Sequence, residues 1–497
     1  MKTSIIYDTD EYFVNIPIEN HKEQLTQLQL SIQNEQFYQE ILKQSTISKL
    51  SDRTLISLII TVIYELDSQF AINSINGKLI RYTEMYENEE ENNFNNKNDF
   101  ITRNRYICKI EGINDSSIPS LCKERNERTR KENEEININT LICVMSFEDS
   151  IELKIGERYH IIGIYQSSRF DEDNELDIKI PTNQRLFILL YRKYHLKDWC
   201  LDNNKYPLKM NINLEKNINL INNQKIEYSN YLIRNKILEL LNMIIPSPMN
   251  IHLLLNLISN VKCRQPMIVH KYSLGLIVDN ITIFVNNLKE ILKIFNPFVE
   301  SINYTSKKSL LPIISPQTVE YEIYPLQIGN DSIVIIYSDK EIDEINKEII
   351  IELLNQYNLK YTIYGYDVFI PIKSSLIFVT KKDCNKEILL NCDQIITIHQ
   401  GINNINIHSI ISSLQFNEIK EIRNYITSCK EIDCSIDEKM SEIITNNFVN
   451  ARQLNSTIDQ MTLHKWITMS SLLGSSYGLN QLTIDIWNET MKLQSLN

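Results

Sequence analysis

Hydrophobic positions change their spacing partway along the chain. Before about residue 230 they come in short runs broken by polar residues. Within residues 1–45, His21–Gln44 carries Leu25, Leu28, Leu30, Ile32 and Phe37 at mixed helical spacing, predicting a partly helical segment. Ser51-Asp52 then opens an extended, β-branched run to Tyr64, with a second strand pair expected over Phe70–Tyr82. Further strands are predicted at Arg105–Ile113, Thr140–Phe147, Ile151–Ser168 (with a turn at Gly156-Glu157) and Ile180–His195. Short strands with polar interruptions predict a small β-barrel or sandwich.

From Tyr231 the runs lengthen. Helices are predicted at Tyr231–Ile245, broken by Pro246 and Pro248, at Met249–Val261, and at Ile281–Phe295, ending before Pro297. Lys271–Ile281 is strand-like, Ile323–Gly329 and Ser332–Asp339 are extended, Glu341–Tyr361 reads as a helix, and Ser374–Thr380 as a buried strand. Helices alternating with apolar strand runs predict an α/β layer on a parallel sheet. Phe416–Lys430, Ser435–Leu454 and Thr462–Leu479 read as three helices, followed by amphipathic Thr483–Leu496, together a separate helical domain or lid. The expected divisions are a helical segment at 1–45, a β domain at 46–195 with acidic and Asn-rich insertions, a linker at 196–230, an α/β domain at 231–412 and the helical block at 413–497.

The chain has 497 residues, enough for about three domains. Its net charge of -12 argues against broad binding of a phosphate backbone, which needs clustered Lys and Arg. Nine cysteines are scattered without a C-x-x-C, which fits reduced thiols rather than a disulfide scaffold. Eight histidines include no H-x-x-x-H pair, so no metal is expected. The most apolar run, Leu55–Tyr64, is too short to span a bilayer, and the N-terminus has no long apolar stretch, so neither membrane nor secretory leader is expected. Cys122–Asn139 holds Lys123, Arg125, Arg128, Arg130 and Lys131; its interleaved Glu residues favour a solvated loop over an import patch.

Ten glycines exclude several chemistries. A phosphate-binding G-x-x-x-x-G-K-[ST] is absent, because only Gly lets the backbone N–H groups wrap a phosphate there. G-x-G-x-x-G, G-x-S-x-G and H-E-x-x-H are absent as well. Ser338, Asp339 and Glu341 stand at a strand end where an NTPase would hold Mg²⁺, but without a phosphate cradle they read as a solvated loop. Trp466 and Trp487, each with apolar residues at helical spacing, read as core of a helical bundle before they read as docking residues.

The C-terminal blocks resemble the minichromosome maintenance (MCM) complex-binding protein family. They are ITNNFVNAR with Phe448, Val449 and Arg452; the Leu463-His464 helix running to Gly478; and Leu482-Thr483, Trp487 and Leu493–Leu496. Residues 233–260, Pro325–Asp339, the stretch from Leu141 to Ser168 and residues 55–69 are similar to its upstream blocks in order and spacing. Two departures are Tyr337-Ser338-Asp339, where the family's strand often ends Ile-Asp-Glu, and Ser471, where an Arg is common. The resemblance implies an OB-like β domain, a degenerate AAA+-like α/β domain and a helical lid. It implies a nuclear, non-enzymatic partner of MCM helicase subunits without a cofactor, taking one subunit's place and supporting helicase assembly, unloading, DNA replication and sister chromatid cohesion. Phe448, Arg452, His464, Trp466 and Trp487 are then candidates for partner binding or lid core. The alternative is an OB-containing scaffold for single-stranded nucleic acid, using Tyr64, Phe70, Tyr82, Tyr106, Phe147, Tyr159 and Tyr165, although no basic stripe accompanies these aromatics.

Overall fold

The computed structural model describes residues 54–73, 79–82, 100–111, 140–145, 153–167, 184–194, 223–262, 268–304, 310–311, 313–314, 325–363, 366–398, 414–456 and 458–494. The expected N-terminal helix, most of the acidic insertions and residues 196–222 lie outside these.

The first six strands are β1 (Thr54–Asn73), β2 (Leu79–Tyr82), β3 (Phe100–Ile110), β4 (Thr140–Met145), β5 (Arg158–Ser167) and β6 (Gln184–Lys193). β1 is longer than its sequence suggests. It runs on through Tyr64, where its apolar run stops, with irregularities against β3 at Val62–Tyr64 and Leu66–Gln69. Residues 54–61 pair with β5, residues 60–72 with β3, and residues 70–73 with β2. The order β1-β3-β4-β6-β5 returns to β1 and closes a ring of five strands. Ile60, Val62, Tyr106, Cys108, Ile161, Leu186 and Ile188 fill it.

The second half contains α1 (Asn223–Asn242), α2 (Asn250–Ile258), β7 (Leu274–Val278), α3 (Ile281–Phe295), β8 (Val299–Asn303), β9 (Ile313–Ile314), β10 (Ile333–Ser338) and α4 (Glu344–Gln356). Then come β11 (Asn358–Ile363), β12 (Tyr366–Pro371), β13 (Ser375–Thr380), α5 (Lys386–Asn391) and β14 (Gln394–Ile398). The mixed α/β class with a parallel sheet is as expected: β14-β7-β13-β10-β8 are all parallel. β12-β11-β9 form a small second sheet.

Two expectations are corrected. α1 begins at Asn223, inside the stretch assigned as linker, because NQKIEYSN is too polar to show a helical stripe. The helix expected over Glu341–Tyr361 stops at Gln356. Tyr357 turns into the left-handed region (φ 50°), its N–H still bonds Leu353 O, and the following residues pair with β12 instead.

Alternation along the central strands divides the core. Ile333, Ile335, Ile377 and Val379 face one layer, while Val334, Ile336, Leu376 and Phe378 face the other. The first layer holds α1, α2 and α3. It also holds the four C-terminal helices α6 (Phe416–Glu431), α7 (Glu438–Leu454), α8 (Gln460–Ser476) and α9 (Ile484–Gln494). Leu274, Leu292, Ile426, Met469, Leu473 and Trp487 all belong to one continuous apolar cluster, so the helical block shares the core of the sheet. Arg423 of α6 donates to Ile294 O (2.9 Å) and Lys293 O (2.8 Å), covering open carbonyls of α3.

Candidate functional site

In an open parallel sheet, ligands settle beyond the carboxyl ends of the strands. Here β7 passes into α3 through Asp279 and Asn280 alone. The Asn280 side chain accepts from Ile283 N (3.5 Å), so the N-terminus of α3 is capped from within. A two-residue turn offers no loop of N–H groups to surround a phosphate. At the end of β10, Ser338 is buried; it donates to Lys340 O (2.8 Å) and lies 3.1 Å from Tyr304 O. Glu341 accepts from Asn385 N (2.8 Å). Asp339 is exposed. These groups hold a turn together, and no group of three or more metal-ligating side chains occurs among the described residues.

A Ser, a His and an Asp do meet elsewhere. Ser471 Oγ lies 3.2 Å from His270 Nε2, and Asp433 Oδ1 lies 3.9 Å from the same nitrogen. A charge-stabilised triad needs the carboxylate on the opposite ring nitrogen. Ser471 also donates to Cys434 O (3.3 Å), so its proton is directed away from the imidazole. Burial, helped by Lys262, lowers the His270 pKa to about 4. The cluster joins α8 to the segment entering β7.

Among the described residues, the junction of barrel and sheet carries an extended polar arrangement. Arg158, at the start of β5, donates to Glu111 Oε1 (3.2 Å), Ser332 Oγ (2.5 Å) and Asn330 O. Its guanidinium lies 3.9 Å over the Phe298 ring. Thr61 donates to the same Glu111 carboxylate. Desolvation would raise the Glu111 pKa, but Arg158, Lys109 and the Thr61 hydrogen bond outweigh it and hold the carboxyl below its usual range. Gly329 is required here: a Cβ would stand 2.7 Å from Arg158 Cζ and 2.8 Å from Thr61 Oγ1. Asn330 N donates to Gly156 O (2.8 Å), and Lys109 pairs with Glu300 (3.0 Å). Beside this clasp opens a cleft of about 210 Å³. Barrel residues Lys193 and Tyr194, sheet-side residues Asn260, Asp331 and Lys373, and α6 residues Thr427, Lys430 and Glu431 line it.

The predicted site residues separate into two groups. Trp487 is fully buried with its indole N–H unpartnered, and Trp466 is 7 % exposed, so both are core. His464 is half-buried, its Nε2 2.8 Å from Ile268 O. Phe448 packs on the core edge, while Arg452 is exposed on the same helix beside Val449 (46 % exposed) and Leu454 (91 %). Sequence reading missed the junction residues. Gly329 was visible there as one of few glycines, but nothing local marks Arg158 and Glu111, 47 residues apart, as partners.

Comparison with known proteins gives a consistent picture. Residues 345–497 match the model of the family described as mini-chromosome maintenance replisome factor. The chain is 24 % identical over 261 residues to the mini-chromosome maintenance complex-binding protein of Arabidopsis thaliana, covering 49 % of this chain and 43 % of that protein. It is 30 % identical over 103 residues to the protein of the same name from Dictyostelium discoideum, covering 19 % of this chain and 14 % of that protein. The chain thus spans under half the length of the curated relatives it matches. The resemblance read from the residues is borne out.

Proposed function

We propose that this chain, similar to the MCM complex-binding protein family, works by binding MCM helicase subunits and catalyses no reaction of its own. The observation that carries this reading is the two-residue, self-capped turn between β7 and α3, in a sheet whose C-terminal helices match the family. An α/β layer of ATPase type without a phosphate cradle is left with surface recognition as its work. The all-parallel sheet, with β13 placed between β7 and β10, supports the AAA+-like reading. The closed ring β1-β3-β4-β6-β5 supports the OB-like one. On this reading the chain acts in the nucleus, takes the place of one helicase subunit, and supports helicase assembly and unloading, DNA replication and sister chromatid cohesion. Its exposed residues on the helical block, Arg452 and Val449 among them, are the first candidates for contact.

A single-stranded nucleic-acid scaffold is the weaker reading. Tyr106 and Tyr159 are buried inside the barrel, unavailable for base stacking. Lys109, Arg158 and Lys193 are each paired with a glutamate. Affinity capture with the full chain from nuclear extract tests the proposal: recovery of MCM subunits supports it, and recovery of none overturns it. A salt-sensitive mobility shift of a labelled oligonucleotide would favour the scaffold instead.

A further inference from the structure

The cleft beside the junction contains a lysine that no described side chain pairs directly. Lys430, in the last turn of α6, is 8 % exposed and lines the cleft. Among the described residues its ammonium has no hydrogen bond and no ion pair; Asp331 acts on it only at longer range. Lys271 is equally buried, yet its ammonium donates to Leu354 O (3.1 Å) and lies 3.8 Å from Asp393. Burial of an unpaired ammonium is costly, and here it pushes the Lys430 pKa down. The other cations of the lining differ. Arg158 already donates to Glu111, Asn330 and Ser332, and Lys193 is paired with Glu157 (2.7 Å). Lys373 stands exposed at the mouth. Asn260 adds a carboxamide to the same lining.

We infer that this cleft is a binding site for one small oxyanion, a single carboxylate or phosphate group, seated against the Lys430 ammonium. Glu157, Asp331 and Glu431 in the same lining limit the site to one anionic group and disfavour a polyanion. The room of about 210 Å³ suits a side-chain carboxylate or a free phosphate.

The test uses the full chain. Thermal unfolding is followed while sodium phosphate or sodium acetate replaces sodium chloride at constant ionic strength. A saturable rise in midpoint with either anion is expected. Lys430→Met, whose apolar side chain suits the burial, should weaken the apparent affinity at least tenfold. Lys382→Met, at an exposed position outside the cleft, should leave it unchanged. A response to phosphate alone identifies a phosphate group as the ligand. A response to acetate identifies a carboxylate, as an acidic side chain of a bound protein would supply. No saturable response to either anion, or an equal response in Lys430→Met, overturns the inference. A second readout needs no stability change: in the ¹³C-methylated chain, the Lys430 resonance, assigned by its loss in Lys430→Arg, should move with added anion. A stationary resonance would also overturn it.

Discussion

The parallel sheet has two borders that differ in make-up, one almost wholly apolar and one centred on a buried ion pair. Toward the helical block the contact is apolar: Leu473, Trp487 and Ile426 share one cluster with Leu274 and Ile335. Toward the barrel a directional ionic clasp, with Arg158 reaching Glu111, Asn330 and Ser332, stands beside a small apolar contact of Ile59 and Tyr194 with Phe298. Apolar burial is non-directional and scales with area, so the first border makes the helices part of the cooperative fold. Buried ion pairs add little net stability over an apolar replacement, but a stranded partner is costly. The second border therefore fixes how the barrel is oriented more than it holds the molecule together.

The largest effect should come from the apolar border. Removing residues 413–497 should abolish cooperative unfolding of the sheet, and Trp487→Ala alone should cost about 3–5 kcal/mol in urea denaturation. A monomeric 1–412 chain as heat-stable as the whole would break the comparison. Next come Arg158→Met and Glu111→Gln, each expected to cost about 3–5 kcal/mol by leaving a buried charge unpaired. The double variant should cost clearly less than their sum, and strict additivity would show that the clasp is not one unit.

Acid should separate the borders. Burial lowers the His252 and His270 pKa values to about 4, so the unfolded chain takes up protons first as pH falls below 6.5. Stability is then lost between pH 6.5 and about 4, by up to about 3 kcal/mol per histidine, at the helix-side border. Glu111 is depressed below 4.5, so its contribution is present above that value and is lost only as pH falls further. Hydrogen exchange should therefore rise in α2 and α8 before it rises at the junction; the reverse order would contradict the assignment. A smaller effect, about 1–3 kcal/mol, is expected for Gly329→Ala, which places a methyl against Arg158 and Thr61. The smallest is on the exposed ridge. Arg452→Ala and Val449→Ala should change stability by less than about 0.5 kcal/mol while weakening capture of MCM subunits. Unaltered capture would move the contact surface elsewhere.

The apolar border was largely legible in the sequence and the ionic one was not. α3 was readable to the residue, because Pro297 follows it and its buried positions keep helical spacing. β10 and β13 were visible as unbroken apolar runs. β8 (VESIN) and β14 (QIITI) were missed because they are short and partly polar, and their places depend on neighbours far along the chain. The same holds for the candidate sites. Phe448 and Arg452 come from the resemblance carried by ITNNFVNAR, and both lie on α7. Lys430 closes the helix expected over Phe416–Lys430, and nothing local marks it as buried.

The order of the sheet has a practical consequence for anyone dividing this chain. The family match begins at residue 345, inside α4, and so takes in β13 and β14 but not β7. In space β7 lies between those two strands and bonds to both. A fragment cut at the match boundary would inherit two ribbons whose common neighbour had been discarded. Recognisable ancestry and an independently folding piece are here two different segments of polypeptide.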